Sequence, residues 1–297
     1  MIVTNNKKNV NNIFYRPNIM QFNLPKSSNH FININGNHIH FQHHIANSSK
    51  FMFFIHGYNS HSNYTYIQTL FNTLNDINIC TIDLEGHGYS EGERCLVSHS
   101  MVTDIVDWIT YVMSKNKITN FVILASSFGG VLATLCYPKL HPDIQSKCSA
   151  VILMAPAFHL VANTPIKNYI VQNWLSYYLP DWYLPDIFPW RPKAEQSINC
   201  PELIEHCRTE NLTRKKNVTF NNLKKIAQFG KNAYNNANSI LTNLIIIHDP
   251  NDQITCYKTS KQLCSNINAT LITAHNCKHN IIANNHKLVA NIAKKYL

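Results

Sequence analysis

A serine between small residues is the first candidate for chemistry in this sequence. The stretch ASSFGG, residues 125–130, directly follows the apolar run NFVILA and directly precedes a segment with helical spacing. A nucleophilic serine at a sharp strand-to-helix turn needs this context, because small neighbours let the strand and the helix approach each other. The plainer interpretation is an ordinary helix start with a capping serine.

The register of the stretch selects one of its two serines. If Gly129 is the second glycine of a Gly-x-Ser-x-Gly pattern, the nucleophile is Ser127, and Ala125 occupies the first glycine position. If Ser126 were the nucleophile, a leucine and a phenylalanine would flank it, and no tight turn favours such large neighbours. We therefore predict that Ser127 is the nucleophile.

A serine becomes nucleophilic beside a base that a third group orients. Two later apolar runs end in loops that supply such groups: LIIIHDPNDQI contains Asp249 and Asp252, and LITAHNCKHNII contains His275 and His279. The order serine, acid, histidine is one of the known chain orders of such triads, and ligand sites of parallel sheets gather after strand ends. Position alone leaves both the acid and the histidine open.

Two backbone N–H groups are candidates for stabilising an oxyanion. The run FFIHGYNSHSNY places Tyr58 just after a strand, and Phe128 directly follows Ser127. N–H groups in these positions donate to the negative charge that develops on a carbonyl oxygen under attack. We interpret His56, at the strand end, as a packing residue rather than a catalytic one.

Patterning along the chain predicts the elements that position these residues. Continuous apolar runs predict buried strands at 51–55, 77–83, 120–125, 150–156, 243–249 and 269–274, and alternation around Asn35-Gly36 predicts a hairpin. Helical spacing marks residues 64–75, 98–115, 128–140, 256–266 and 283–296. Such alternation of strands and helices predicts the α/β class, with a mostly parallel central sheet flanked by helices.

One interval lacks a comparable strand run. Residues 157–242 are rich in aromatic residues and prolines, which we interpret as a helical cap inserted into the fold. The predicted organisation is a polar N-terminal segment at 1–28, a core formed by 29–156 and 243–297, and the cap between the two core segments.

Composition and charge exclude several classes of function. The formal net charge is +10, but the basic residues are scattered and no nucleic-acid-binding motif accompanies them. The nine cysteines are odd in number and include no CxxC pair, which favours free thiols in a reducing compartment. The histidine and carboxylates within 83–94 match no zinc spacing, so we expect no metal. No secretory signal or apolar span is visible, and we expect a cytoplasmic protein.

The stretch DLEGHGYSEGER, 83–94, carries the most specific resemblance to a known family. Together with the HG at 56–57, the ASSFGG motif, LMAP at 153–156 and HDPND at 248–252, it resembles the monoglyceride lipase and lysophospholipase group of α/β hydrolases, also called the serine aminopeptidase S33 or hydrolase-4 group. These motifs occur in the order typical of that group, and the resemblance spans roughly residues 30–295.

The resemblance implies an α/β-hydrolase fold whose triad is Ser127, Asp252 and His279, with no cofactor. It favours Asp252 because the family's acid loop usually reads G-x-x-D, which places Asp249 at the glycine position. It favours His279 because apolar residues at a helix start follow that histidine. Ala125 and Ser126 stand where the family usually has glycine and histidine.

The function implied is hydrolysis of lipid carboxylic esters, with monoacylglycerol or lysophospholipid as substrate. An aromatic cap and a basic surface are consistent with peripheral contact to membranes through the cap. The altered ASSFGG motif motivates one alternative, a catalytically weak or inactive module that binds lipid or protein. A peptidase of the same superfamily is the other.

Overall fold

The computed structural model describes residues 27–161, 174–183, 194–214 and 218–297. In these ranges an eight-stranded sheet has the order β1-β2-β4-β3-β5-β6-β7-β8. The strands are β1 Ser27–Ile34, β2 Asn37–His44, β3 Phe51–Ile55, β4 Asn78–Ile82, β5 Phe121–Ser126, β6 Cys148–Met154, β7 Asn243–His248 and β8 Ala269–Thr273. The predicted strand runs are thus confirmed to within two residues at each end.

The hairpin at the edge of the sheet forms as predicted. Asn35 and Gly36 both have positive φ, 52° and 90°, which is the conformation that a two-residue hairpin turn requires. Strand β2 pairs antiparallel with β1 and with β4, whereas the pairings from β4 through β3, β5, β6 and β7 to β8 are parallel. The mostly parallel sheet of an α/β fold is therefore confirmed.

Helices follow the strands and cover both faces of the sheet. They are α1 Thr65–Thr73, α2 Met101–Lys115, α3 Phe128–Cys136, α4 Pro142–Gln145, α5 Ser176–Tyr178, α6 Ala194–Ser197, α7 Pro201–Thr209, α8 Phe220–Asn236, α9 Tyr257–Asn266 and α10 Ile281–Lys295. Short 3₁₀ turns at Tyr137–Lys139 and Ala237–Ser239 continue α3 and α8.

Two apolar clusters lie on opposite faces of the sheet. On β3, Phe51, Phe53 and Ile55 belong to the cluster shared with α2, α3 and α8, whereas Met52 and Phe54 belong to the cluster shared with α1 and α10. Because both faces of the strand are buried, every position is apolar and the sequence shows a continuous run rather than an alternation. This burial explains why the strands were recognisable from the sequence.

The described parts of the inserted interval contain the helices α5 to α8, together with turns and irregular segments. Helix α8 packs along α3 and carries Phe229 against Phe128, with ring centroids 5.9 Å apart. Trp174, Tyr177 and Trp182 are exposed on the same insert. Residues 162–173, 184–193 and 215–217 lie outside the described ranges, so the cap and its membrane contact stay predictions.

The N-terminal boundary differs slightly from the expected one. Residues 1–26 lie outside the described ranges, and Ser27 and Ser28 already belong to β1 rather than to a separate polar segment. None of the described helices combines the length and apolar character needed to cross a membrane.

Candidate active site

Ser127 occupies the sharp turn between β5 and α3. Its φ of 53° and ψ of −118° lie in a region that residues other than glycine rarely adopt. Three backbone hydrogen bonds hold the turn: the Ser127 N–H donates to the Met154 carbonyl (2.8 Å), and the Ser127 carbonyl accepts from Gly130 (3.0 Å) and Ala157 (3.1 Å). A strained backbone of this kind persists only where surrounding contacts hold it in place, and such residues are common at active sites.

Ala125 does not obstruct this turn. The residue lies on β5 between Ile55 of β3 and Leu153 of β6, and it is completely buried. Its methyl group belongs to the apolar cluster shared with α2 and α3, and therefore fills core space. The strand-to-helix turn forms with alanine at the position where the Gly-x-Ser-x-Gly pattern has its first glycine.

Gly129 lies where the turn has no room for a side chain. A Cβ atom there would meet the carbonyl oxygens of His56 and of Ile55, the latter at 2.5 Å. A Cβ at Gly57 would lie 3.1 Å from the Cβ of Ser127. The start of α3 and the end of β3 thus approach each other at the serine, which places the Tyr58 loop beside Ser127.

His279 bridges the serine and one of the two candidate acids. The Ser127 Oγ lies 3.0 Å from His279 Nε2, and His279 Nδ1 lies 2.8 Å from Asp252 Oδ2. A carboxylate only accepts, so Nδ1 carries the ring proton and Nε2 is free to accept from the serine hydroxyl. The structure brings these three predicted residues together, over separations of 152 and 27 residues in the chain.

The Asp252 carboxylate is buried and fully engaged. Oδ1 accepts from the N–H groups of Ile254 (2.7 Å) and Thr255 (3.1 Å), and Oδ2 accepts from the Thr255 hydroxyl (2.7 Å) as well as from His279. Burial acts to raise the pKa of Asp252, but the His279 and His248 imidazoles beside it outweigh burial and hold the pKa well below its ordinary value. The group is therefore an anion at neutral pH.

The other candidates in the two loops lie elsewhere. His275 is exposed and takes no part in the triad geometry. Asp249 is completely buried, but its carboxylate accepts from the backbone N–H groups of Cys277 (2.6 Å) and Lys278 (2.7 Å) rather than from a histidine.

His248 is a partner of Asp252 that the sequence reasoning missed. Its Nε2 lies 3.1 Å from Asp252 Oδ2, its Nδ1 lies 2.9 Å from Ser260 Oγ, and the ring is completely buried. The sequence feature that could have indicated this contact is the position of His248, four residues before Asp252 and at the last position of β7.

The predicted oxyanion donors lie at the same pocket. Tyr58 lines it together with Ser127 and His279, and Phe128 is the first residue of α3. Among the residues that the structure describes, neither backbone N–H donates to a protein acceptor. The N-terminus of α3 also carries partial positive charge, which favours an anion at this position.

His56 is a structural residue beneath the Tyr58 loop. Its Nδ1–H donates to the Gly57 carbonyl (2.8 Å), and its Nε2 accepts from the Leu84 N–H (3.0 Å). Burial lowers its pKa to about 4, so the ring stays neutral. The loop is thereby tied to the turn after β4, where Asp83 accepts from the N–H groups of Ser62 (2.7 Å) and Tyr89 (3.0 Å).

Comparison with known proteins identifies the family. The sequence profile of the family described as "Serine aminopeptidase, S33" matches residues 46–286, which is most of the chain. The protein belongs to this family. No curated protein matches the sequence significantly.

Solved structures similar to this S33 chain are α/β hydrolases. A soluble variant of monoglyceride lipase from Saccharomyces cerevisiae, in complex with a substrate analogue, is 15% identical with a TM-score of 0.75, and covers 94% of this chain and 98% of its own. The monoacylglycerol lipase of Paleococcus ferrophilus is 17% identical with a TM-score of 0.67, covering 83% and 95%. Est1E of Butyrivibrio proteoclasticus, with ferulic acid bound, is 17% identical with a TM-score of 0.61, covering 90% and 96%. At such identities the likeness shows the fold.

The insert reaches the pocket of this S33 protein. Ser197, the last residue of α6, lines a pocket of about 110 Å³ beside Ser127 and His279. The Asn284 side chain donates to the Ser197 carbonyl (2.9 Å), and Lys278 Nζ donates to the Glu195 carbonyl (2.6 Å). The insert is thus hydrogen-bonded both to the loop that carries His279 and to the first turn of α10. Within the described ranges, no group of three or more His, Cys, Asp or Glu side chains has the geometry to hold a metal ion.

Proposed function

We propose that this S33 protein is a serine hydrolase that cleaves carboxylic esters of lipids through an acyl-enzyme, with monoacylglycerol and lysophospholipid as the substrate classes. The observation that carries the proposal is the unbroken chain of contacts from Ser127 Oγ through His279 to Asp252, at 3.0 and 2.8 Å. A serine, a base and an orienting carboxylate at these distances can perform acyl transfer.

Acylation begins when Ser127 Oγ attacks the ester carbonyl carbon. The serine proton passes to His279 Nε2, and the negative charge on the carbonyl oxygen is stabilised by the N–H groups of Tyr58 and Phe128. Asp252 stays ionised and stabilises the imidazolium that has formed. When the tetrahedral intermediate collapses, the carbon–oxygen bond to the alcohol breaks and His279 returns its proton to the leaving alcohol.

Deacylation repeats these steps with water as the nucleophile. His279 takes a proton from water as the water oxygen attacks the acyl carbon. The Ser127 ester bond then breaks, His279 gives its proton to Ser127 Oγ, and the fatty acid leaves. The chemistry requires no cofactor.

The lipid-ester assignment has separate support. Two of the similar structures are a monoglyceride lipase and a monoacylglycerol lipase, and a third is Est1E with ferulic acid bound. The aromatic side chains of the insert provide apolar surface of the kind that an acyl chain contacts. The single substrate within this class is identified by a panel of esters that differ in chain length and head group.

Replacement of the serine tests the mechanism. Ser127→Ala should lower hydrolysis of a p-nitrophenyl ester by about 10³- to 10⁶-fold, because it removes the hydroxyl that forms the acyl-enzyme. Ser126→Ala is the matched control, and it should keep most of the activity. Full activity in Ser127→Ala would overturn the assignment of the nucleophile.

A fluorophosphonate probe separates the enzyme from a non-catalytic module. The probe reacts covalently with an activated serine, so wild-type protein should label and Ser127→Ala should not. An intact fold that does not label would favour a binding module instead. A panel that adds aminoacyl amides to the esters tests the peptidase alternative, which would give amide cleavage faster than ester cleavage.

A further inference from the structure

One carboxylate outside the triad joins the acid loop to the histidine loop. Asp249 follows β7 directly and is completely buried. Its Oδ1 accepts from the N–H of Asn251 (2.8 Å) within its own loop. Its Oδ2 accepts from the N–H groups of Cys277 (2.6 Å) and Lys278 (2.7 Å), which belong to the loop between β8 and α10. Oδ1 therefore bonds within the loop after β7, whereas Oδ2 bonds to the histidine loop.

The histidine loop has a backbone that needs such an anion. Asn276 and Lys278 both have positive φ, 59° and 49°, although neither is glycine, and Cys277 lies between them. Alternation of left-handed and other residues makes successive N–H groups converge on one point, which is a binding position for an anion. A non-glycine residue in the left-handed region is strained, and charge-assisted hydrogen bonds of this kind can offset that strain.

The contact is made immediately before the catalytic histidine in the chain. Lys278 precedes His279, whose ring must lie between Ser127 Oγ and Asp252 Oδ2. A change in the backbone at 277–278 would move the imidazole directly.

We propose that Asp249 is a positioning residue that fixes the backbone conformation of the histidine loop and thereby orients His279. The inference rests on the proposed function and deepens it. Asp249 acts through two backbone N–H groups, and it neither replaces Asp252 nor exchanges protons with the substrate.

Two substitutions of different severity test this role. Asp249→Ala removes the oxygen that accepts from both histidine-loop N–H groups. We expect kcat to fall about 10- to 100-fold with KM within about twofold, since a displaced base slows the chemical step. Asp249→Asn keeps the shape and an acceptor oxygen but removes the charge, and a smaller decrease of about 3- to 10-fold is expected. Should Asp249→Ala fail to fold, the Asn variant still tests the proposal.

A matched control and an independent measurement accompany these variants. Asp104 is also a buried aspartate, but it lies on α2 and bonds to Asn35 of the hairpin, so Asp104→Asn should leave kcat unchanged. Amide hydrogen exchange of the peptide covering 275–280 should become faster in both Asp249 variants. Unchanged exchange and unchanged kcat would overturn the proposal.

A double-mutant cycle with His279 separates positioning from general stabilisation of the fold. With His279→Ala as background, Asp249→Asn should have no further effect on the residual rate, because the group that Asp249 orients is absent. An equal fractional loss in both backgrounds would show that Asp249 acts on the fold as a whole, and would overturn the proposal. If Ser127→Ala or His279→Ala alone kept full activity, the proposed function itself would fail. These single variants therefore distinguish failure of the proposed function from failure of the Asp249 proposal.

Discussion

At the scale of single residues, Asp252 Oδ2 is shared between two imidazoles. His279 lies 2.8 Å from this oxygen and His248 lies 3.1 Å from it. Ser260 lies on the far side of His248 and its hydroxyl can donate to Nδ1, which leaves the proton on Nε2. The carboxylate thus meets a buried donor in His248 and a second donor in His279, whose other ring nitrogen contacts Ser127. We expect the buried donor to help hold the carboxylate in the orientation that its contact with His279 has.

Removal of the buried donor should slow the reaction without abolishing it. His248→Leu leaves the Asp252 contacts to Thr255 and His279 in place, and a hydrogen bond to a charged group is worth about 1.5–3 kcal/mol. We expect kcat to fall about tenfold, measured with a soluble ester. His275→Ala, in the exposed part of the histidine loop, serves as the control. A His248→Leu rate equal to the wild-type rate would show that the second imidazole does not contribute.

The strand ends could indicate the loops that hold Ser127, Asp252 and His279, and the family resemblance selected Asp252 and His279 within those loops. Neither could indicate the supporting contacts. Ser127, Asp252 and His279 each follow a strand, and strand ends are visible as the ends of apolar runs. The roles of Asp249 and His248 depend on where Cys277, Lys278 and Ser260 come to lie, and only the folded chain brings those groups within reach. A buried aspartate and a buried histidine look the same in a sequence whether they bond to backbone or to a side chain.

At the scale of elements, the site is built where α3 begins against the end of β3. The carbonyl oxygens of Ile55 and His56 face Gly129 across a gap that has no room for a side chain. The inner parallel strands were predictable because strands buried on both faces are apolar at nearly every position, and the longer helices because one face of each is apolar. The insert between β6 and β7 has no such regular pattern, so its interpretation rested on composition alone.

Gly129→Ala should push the start of α3 away from the end of β3. The added Cβ meets backbone carbonyls that cannot rotate away, so α3 must shift, and overpacking of this kind costs about 1–3 kcal/mol. Urea unfolding should show a lower free energy of unfolding, and kcat should fall because Ser127 moves with the helix. Gly130→Ala is the control in the same helix, since its Cβ would lie 3.2 Å from the Pro156 Cβ. A Gly129→Ala protein as stable as the Gly130→Ala protein would contradict the close approach.

At the scale of the whole molecule, buried histidines make stability depend on pH. Burial lowers the pKa of His44 to about 4, of His56 to about 4 and of His87 to about 3. The unfolded chain binds protons at these rings below about pH 6.5, whereas the folded chain does not. Their contribution is therefore fully present above pH 6.5 and is lost as the pH falls towards 4. Asp104 acts in the opposite direction, because burial raises its pKa to about 6.

His44 offers a direct test of this pH dependence. Its ring packs against Phe71 with centroids 4.9 Å apart, and within the described ranges neither ring nitrogen has a hydrogen-bond partner. Between pH 6.5 and pH 4 the free energy of unfolding of the wild type should fall, and in His44→Leu this fall should be smaller by up to about 3 kcal/mol. Urea unfolding at several pH values measures the difference. His141→Leu, at an exposed position, should leave the pH dependence as in the wild type. An unchanged slope in His44→Leu would contradict the assignment.

The fastening of the insert to the histidine loop limits how this protein can diversify. Lys278 and Asn284 donate to the carbonyls of Glu195 and Ser197, and these acceptors belong to the insert rather than to the core. An insert exchanged for one of different sequence would have to return carbonyl groups to the same two places, or leave those donors without acceptors beside His279. In the proposed hydrolase, exchange of the insert for one with a different substrate pocket would therefore also change the contacts of the loop that carries His279.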